Sequence, residues 1–219
     1  MPSKPEVIVK QIFERESSTT IKLITDYLKL LFKWHETNNI ISSSDYSYIV
    51  KREIYDSYHF NNHIQGKTFT DIGTGGGIPG IIVAILNPEK EITLLDRKSS
   101  FIDFLSIAKA ELKLNNTKIV KQDIFNKDFS LSTDTALLKN FSNKKISKMD
   151  FQRKFIYIMN FIRKSKSISK VYMLTGTPVL ELSEDCVDEF NIKTFKIDTP
   201  YFDTHRFIAE VKFEDSINS

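Results

Sequence analysis

The sequence predicts an α/β fold: a seven-stranded, mostly parallel, Rossmann-like sheet covered by helices, ending in an antiparallel hairpin and preceded by a helical extension. Three observations predict it. Residues up to about 65 carry helical periodicity and no strand pattern. Beyond Gly66, short β-rich runs alternate with helical stretches, the signature of a parallel sheet covered on both faces. A glycine-rich loop then stands between the first of those runs and the helix that follows it.

Taken in order, a short helix is expected around Val7 to Phe13. From Ser18 to Asn38 the apolar residues Ile21, Ile24, Leu28, Leu31 and Trp34 recur at three- and four-residue steps, the stripe of an amphipathic helix. A third helix is expected from Ser44 to Phe60, capped by Ser44 or Asp45, with Tyr48, Ile54, Tyr55 and Tyr58 as its apolar area. Strands are expected at Lys67–Ile72, Glu91–Leu95, Thr117–Lys121, Thr133–Leu138 and Val171–Thr175. Helices fall between them near Pro79–Leu86, Ser99–Leu114 and Ser147–Arg163. Two last runs, Asn191–Ile197 and Arg206–Phe213, are joined by a short Pro-containing loop and are expected to pair antiparallel. Count and order resemble the class I methyltransferase sheet. Residues 1–65 are thus read as the N-terminal extension and 66–219 as the ligand-binding domain.

Composition narrows the classes. A chain of 219 residues with 41% hydrophobic content can bury one sizeable core. The single cysteine, Cys186, excludes an internal disulfide and leaves too little for a cysteine-based zinc site. Met1-Pro2-Ser3-Lys4-Pro5 lacks the apolar core of a secretory signal, and no run approaches the ~20 apolar residues that span a bilayer. A soluble cytoplasmic protein is expected, with no membrane partner. Net charge of +3 permits a nucleic-acid partner without demanding one. The four histidines show no metal-ligand spacing, so no catalytic metal is expected. A monomer is expected, because the helices can cover both faces of the sheet.

The run Asp71-Ile72-Gly73-Thr74-Gly75-Gly76-Gly77-Ile78-Pro79-Gly80 is the most informative stretch. Gly73, Gly75 and Gly77 allow backbone conformations closed to other residues and let a ligand approach the chain; Pro79 suits the first turn of a helix. Such a loop also serves elsewhere as a plain tight turn. Asp96, ending the second strand, falls at the carboxyl edge of the sheet, where its carboxylate can accept from both hydroxyls of a ribose. Asp71 can hold the ammonium of a methionine moiety, directly or through water, whereas a pyrophosphate would gain nothing from its charge. A dinucleotide fingerprint wants glycine where Ile78 stands. S-adenosylmethionine is therefore favoured over NAD as the cofactor. In Gln122-Asp123-Ile124-Phe125, Asp123 either accepts from the adenine amino group, beside backbone that contacts the ring, or caps a helix.

On these residues the chain resembles the RsmG family, also called GidB, of small-subunit ribosomal RNA guanine-N7 methyltransferases. The resemblance rests on Lys33-Trp34, Asn38-Asn39, Asp56-Ser57, the whole run from Asp71 to Gly80, Thr93-Leu94-Leu95-Asp96, Phe104-Leu105, Glu111-Leu112-Lys113-Leu114 and Arg206. It implies a cofactor site lined by Gly73, Ile78, Asp123 and Ile124, a substrate-side role for Arg206, and ribosomal RNA or the small subunit as partner. Lys139 aligns with a basic residue after the fourth strand; it keeps the charge of an arginine but lacks its planar fork. Ser100-Phe101, Thr175 and Glu53 depart from the family's pattern, all on the acceptor side.

The reaction implied is in-line methyl transfer to guanine N7, a nitrogen with a free lone pair, so orientation rather than a general base carries it. Lys139 is expected to orient cofactor or base, or else to be a solvated charge. Phe141 is expected to offer a stacking face, or to be a core aromatic. Lys144, Lys145, Lys148, Arg153 and Lys154, with Arg163, Lys164 and Lys166 beyond them, are expected to meet RNA phosphates or to form a solvated helix face. Three other readings stand beside this one: the same chemistry on another acceptor, a nicotinamide oxidoreductase, and an inactive nucleotide-binding module.

Overall fold

Seven strands form one sheet in the order β3-β2-β1-β4-β5-β7-β6 in the computed structural model, which describes residues 5–126, 129–141 and 144–213. Met1 to Lys4, part of the N-terminal stretch weighed above for a signal, lie outside the described residues. β1 (Thr68–Ile72), β2 (Glu91–Asp96), β3 (Thr117–Lys121), β4 (Thr135–Lys139) and β5 (Lys170–Thr175) are parallel. β7 (Arg206–Lys212) lies antiparallel between β5 and β6 (Ile192–Ile197). The expected hairpin is therefore present, and its second strand inserts between the first and the parallel set.

Each face of the sheet has its own core. On one side α1 (Pro5–Ile12), α2 (Ser18–Asn38), α5 (Gly80–Leu86) and α6 (Ser99–Leu112) pack with Phe69, Leu94, Leu137 and Ile208. The extension thus contributes to the same apolar cluster as the sheet, through Val9, Ile24, Leu28 and Leu31. On the other side α7 (Phe151–Ile162) and α8 (Glu184–Glu189) cover Ile72, Ala136, Leu138 and Val171. Residues of one strand alternate between the two cores, as the period of two requires.

The expected third helix divides. α3 (Tyr46–Tyr48), capped by Asp45, runs into a π-helical segment, Ile49–Ile54, before α4 (Tyr55–Asn61) resumes the normal winding. α7 begins at an Asp150 cap, four residues later than its expected start at Ser147. A 3₁₀ turn, Thr177–Glu181, and α8, capped by Ser183, were not expected from the sequence.

Candidate functional site

The strand order places a topological switch between β1 and β4, and chains from neighbouring strands turn opposite ways there, opening a crevice at their carboxyl ends. A cavity of about 490 Å³ occupies that place. Gly73 and Gly75 follow β1, Leu95 and Asp96 end β2, Gln122 to Ile124 follow β3, and Asn140 and Phe141 follow β4; all line it. Four successive strand ends thus meet at one hole.

The glycine loop is held from three directions. Gly73 N–H donates to Leu95 C=O at 2.8 Å, tying the loop to β2. Asp71, only 1% exposed, accepts at Oδ2 from Thr74 Oγ1 at 2.6 Å and from Gly80 N–H at 2.8 Å, which closes the loop onto the start of α5. Tyr27, fully buried in α2, donates its hydroxyl to Gly76 C=O at 2.6 Å. Gly73 adopts φ +70°, and a Cβ there would stand 2.5 Å from Phe141 Cδ2. Gly75 adopts φ +56° with open space where a side chain would be, so its backbone faces the cavity bare.

Asp96 is the polar centre of the wall. Its Oδ2 accepts from Gly75 N–H at 3.1 Å and its Oδ1 from Lys98 N–H at 2.9 Å. A carboxylate offers about four acceptor sites, so each oxygen keeps capacity for a further donor from the cavity. Asp123 accepts at Oδ1 from Phe125 N–H at 3.0 Å and faces Arg97 at 3.5 Å. A turn rather than a helix follows it, so the helix-cap alternative is not what this aspartate does.

Burial pushes the Asp71 carboxyl up to about 6, against the donations from Thr74 and Gly80 and with a small further push from Asp96. Its charged form is thus costly, and its oxygen is spent on the loop. Thr74, Gly77 and Ile78 shape the turn without lining the cavity, whereas Gly73, Gly75, Asp96, Asp123, Ile124, Phe141 and Lys144 do line it. Phe125 stands behind the wall, its ring 5.9 Å from that of Phe141.

Three expected substrate-side residues lie elsewhere. Lys139 is the last residue of β4 and alternates to the face opposite Leu138 and Asn140, where its side chain, 6% exposed, forms an ion pair with Glu53 of the π-helical segment. It is therefore neither a solvated charge nor a wall of the cavity. Burial, with the Arg206 and Arg52 cations nearby, pushes its ammonium down to about 7, and the Glu53 carboxylate works against that. Arg206 opens β7, but its Nε donates to the buried carboxylate of Asp56 at 2.9 Å, because the strand brings it against α4. Burial raises the Asp56 pKa, and Arg206 and Arg52 pull it back. Lys145 sits over the Tyr157 ring, 5.1 Å from its centroid, on the outer side of α7.

Sequence reasoning missed Arg97, Lys98, Phe101, Gln122 and Asn140. Phe101, weighed above only as a departure, lies in the first turn of α6 and faces the cavity, with Lys98 5.0 Å from its ring. Asn140 takes φ +51°, a conformation asparagine tolerates better than most residues, and so re-aims the chain after β4. It also lines a second cavity of about 290 Å³, shared through Phe141 and closed by Phe151, Lys154 and Thr175. The signal available was an asparagine directly after an apolar strand.

Among the described residues no group of three or more His, Cys, Asp or Glu side chains is gathered as metal ligands, and no helix is long and apolar enough to cross a membrane.

This sheet order, with its inserted antiparallel strand and a glycine loop after β1, is that of the class I methyltransferase fold. Solved structures of similar fold include M. capricolum TrmK in complex with S-adenosyl-homocysteine, 16% identical with a TM-score of 0.51 over 71% of this chain and 66% of that one. Another is a precorrin-6y C5,15-methyltransferase from Geobacter metallireducens, 13% identical with a TM-score of 0.51 over 81% of this chain and 96% of that one. Within that fold the chain belongs to the GidB family, described as rRNA small subunit methyltransferase G, which it matches over residues 20–158. Ribosomal RNA small subunit methyltransferase G of Hydrogenovibrio crunogenus is 43% identical over 97 residues, 44% of this chain and 45% of that protein. The Photobacterium profundum protein of the same name is 36% identical over 120 residues, 53% of this chain and 58% of that one. The chain spans about half the length of the curated relatives it matches.

Proposed function

We propose that this protein is a cytoplasmic S-adenosylmethionine-dependent methyltransferase that modifies guanine N7 in small-subunit ribosomal RNA. One observation carries the reading: the bare backbone of Gly75 and the unspent acceptor capacity of Asp96 face the same cavity at the sheet's switch point. A nucleoside fits this set, with ribose hydroxyls on Asp96, and the ring between Ile124 and Phe101 beside Asp123. Asp71 acts by bracing the loop. The carboxylates of Asp96 and Asp123 on the cavity wall favour a cationic cofactor tail over a pyrophosphate, which supports S-adenosylmethionine against a nicotinamide dinucleotide.

When bound, the cofactor supplies an electrophilic methyl group on a sulfonium. Guanine N7 has a lone pair and loses no proton in the reaction, so the residues need only hold acceptor and methyl in line. The second cavity, reached past Asn140 and Phe141, supplies that place: Phe141 and Phe151 offer aromatic faces, Asn140 and Thr175 polar edges. Lys139 positions this corner indirectly, by anchoring the end of β4 to the helical extension. We read residues 1–65 as a cover for one face of the 66–219 domain, and the protein as a monomer without a metal.

The test is transfer of labelled methyl from S-adenosylmethionine to small ribosomal subunits lacking the modification, with Asp96→Ala as the control and nuclease mapping of the labelled base. Label in 7-methylguanosine, lost in the control, is expected. Cofactor binding without any label in ribosomal RNA would overturn the acceptor and leave the same chemistry on another substrate.

A further inference from the structure

Charge is unevenly placed along this chain. Eight of its 31 lysines and arginines fall within residues 144–166, against one of its 28 acids, Asp150, so the rest of the protein is net acidic. Most of this stretch is α7 and the turns beside it. Phe155, Ile158, Met159 and Ile162 bury one side of the helix. The opposite side carries Arg153, Tyr157 and Phe161 at four-residue steps, which stacks them along one ridge. Beside that ridge runs a groove of about 490 Å³, edged by Met149, Ile156, Asn160 and Lys164.

Aromatic rings and cations alternate in this groove. Lys145 Nζ lies 5.1 Å from the Tyr157 centroid and Lys164 Nζ 4.3 Å from that of Phe161. Arg163, by contrast, turns away to Phe190 and Glu189 and takes no part. The Phe125 ring joins the groove to the cavity: it is 5.3 Å from Tyr157, 4.8 Å from Phe161 and 5.9 Å from Phe141. Lys144, which lines the cavity, lies one residue before Lys145. Basic residues therefore stand both at the cavity, with Lys144, and on the outer face of α7, with Lys145, Arg153 and Lys164.

We propose that this groove binds single-stranded RNA flanking the target nucleotide, with a base stacked on Tyr157 or Phe161 and phosphates held by Lys145, Arg153 and Lys164. The inference deepens the reading of an RNA acceptor and rests on it. A mixture of ring faces and cations is what a sequence-tolerant single-strand site requires: the exposed Lys164, which rests on the Phe161 ring, can reach a phosphate as a base takes its place on that ring. The Arg153 pair with Asp150 is exposed and weak, so it does not hold that guanidinium back. An apolar protein partner would not call for so one-signed a rim.

The experiment measures binding of the full chain to a fluorescein-labelled single-stranded oligoribonucleotide of about a dozen nucleotides by anisotropy, between roughly 0.05 and 0.2 M salt. Arg153→Gln with Lys164→Gln is expected to weaken binding and reduce the slope against log salt by about 1.4, two phosphate contacts at ~0.7 each. Tyr157→Leu, which keeps the apolar contact with Phe125, is expected to cost at least about fivefold at unchanged slope, and Tyr157→Phe to restore it. S-adenosylmethionine affinity should be the same in all of them. Wild-type protein that binds no oligoribonucleotide, or equal binding by wild type and variants, would overturn the groove, while methyl transfer to small ribosomal subunits decides the RNA acceptor separately. Should a variant fail to fold, photo-crosslinking of 4-thiouridine RNA to wild-type protein decides: crosslinks in residues 145–164 are expected, and crosslinks confined to other segments would refute the proposal.

Discussion

Asp71 makes the stability of the ligand loop depend on pH in a direction opposite to that of most aspartates. Its carboxyl rises from 3.8 to about 6 because it is buried, while the unfolded chain keeps the ordinary value. Between those values the folded state binds the proton more tightly than the unfolded one, so the contribution is complete below about pH 3.8 and is lost as pH rises through about 6. A shift of about 2 units corresponds to about 3 kcal/mol, all but roughly 0.5 of it lost between about pH 4 and pH 7.5. Asp71→Asn keeps an oxygen that can accept from Thr74 and Gly80 but never ionises. Its stability relative to wild type should therefore climb with pH across that window by about 2–3 kcal/mol, a shift of about 1 M or more in the urea midpoint. Urea titrations of both proteins at matched pH measure the difference, and carboxylates remote from Asp71 cancel in the comparison. A difference that stays flat from pH 4 to 7.5, or falls, would refute the reasoning.

Other outcomes follow from the same geometry. Lys139→Met alone leaves the partly buried Glu53 carboxylate without its lysine and should cost about 1–3 kcal/mol in urea unfolding, whereas Lys139→Met with Glu53→Leu should return close to wild type; a double variant as weak as the sum of the singles would contradict the pairing. Gly73→Ala should lose about 1–2 kcal/mol from its left-handed backbone alone, plus the cost of displacing Phe141. Adding Phe141→Leu should recover only the second part, as thermal unfolding of the three proteins would reveal.

Much of this was legible because it depends on local rules. The stripe from Ile21 to Trp34 marked α2, and the alternation of β-rich and helical runs gave the parallel sheet its strand count. Glycines followed by a proline, and an aspartate ending the next strand, were enough to find the cavity. Lys139 was misplaced for a specific reason. A parallel strand covered on both sides has no polar face, so Ala136 to Leu138 contain no clue to which way the next residue points. The π-helical segment was hidden because one wider turn shifts the buried set to Ile49, Val50 and Ile54, out of step with a normal helix. α8 was missed because six residues around one buried side chain, Cys186, present no period to read. Phe101 and Asn140 were passed over since each is recognisable only once the ends of four strands are brought together.

The Glu53–Lys139 pair bears on how such proteins diverge. The two residues are 86 positions apart, yet either one changed alone leaves the other's charge largely shielded from water and without its partner. Drift at this spot must proceed in step, or through an intermediate that folds poorly. Taken position by position, Glu53 and Lys139 are two separate departures on the acceptor side; in the folded chain they are one contact, so a change at either end is felt at the other.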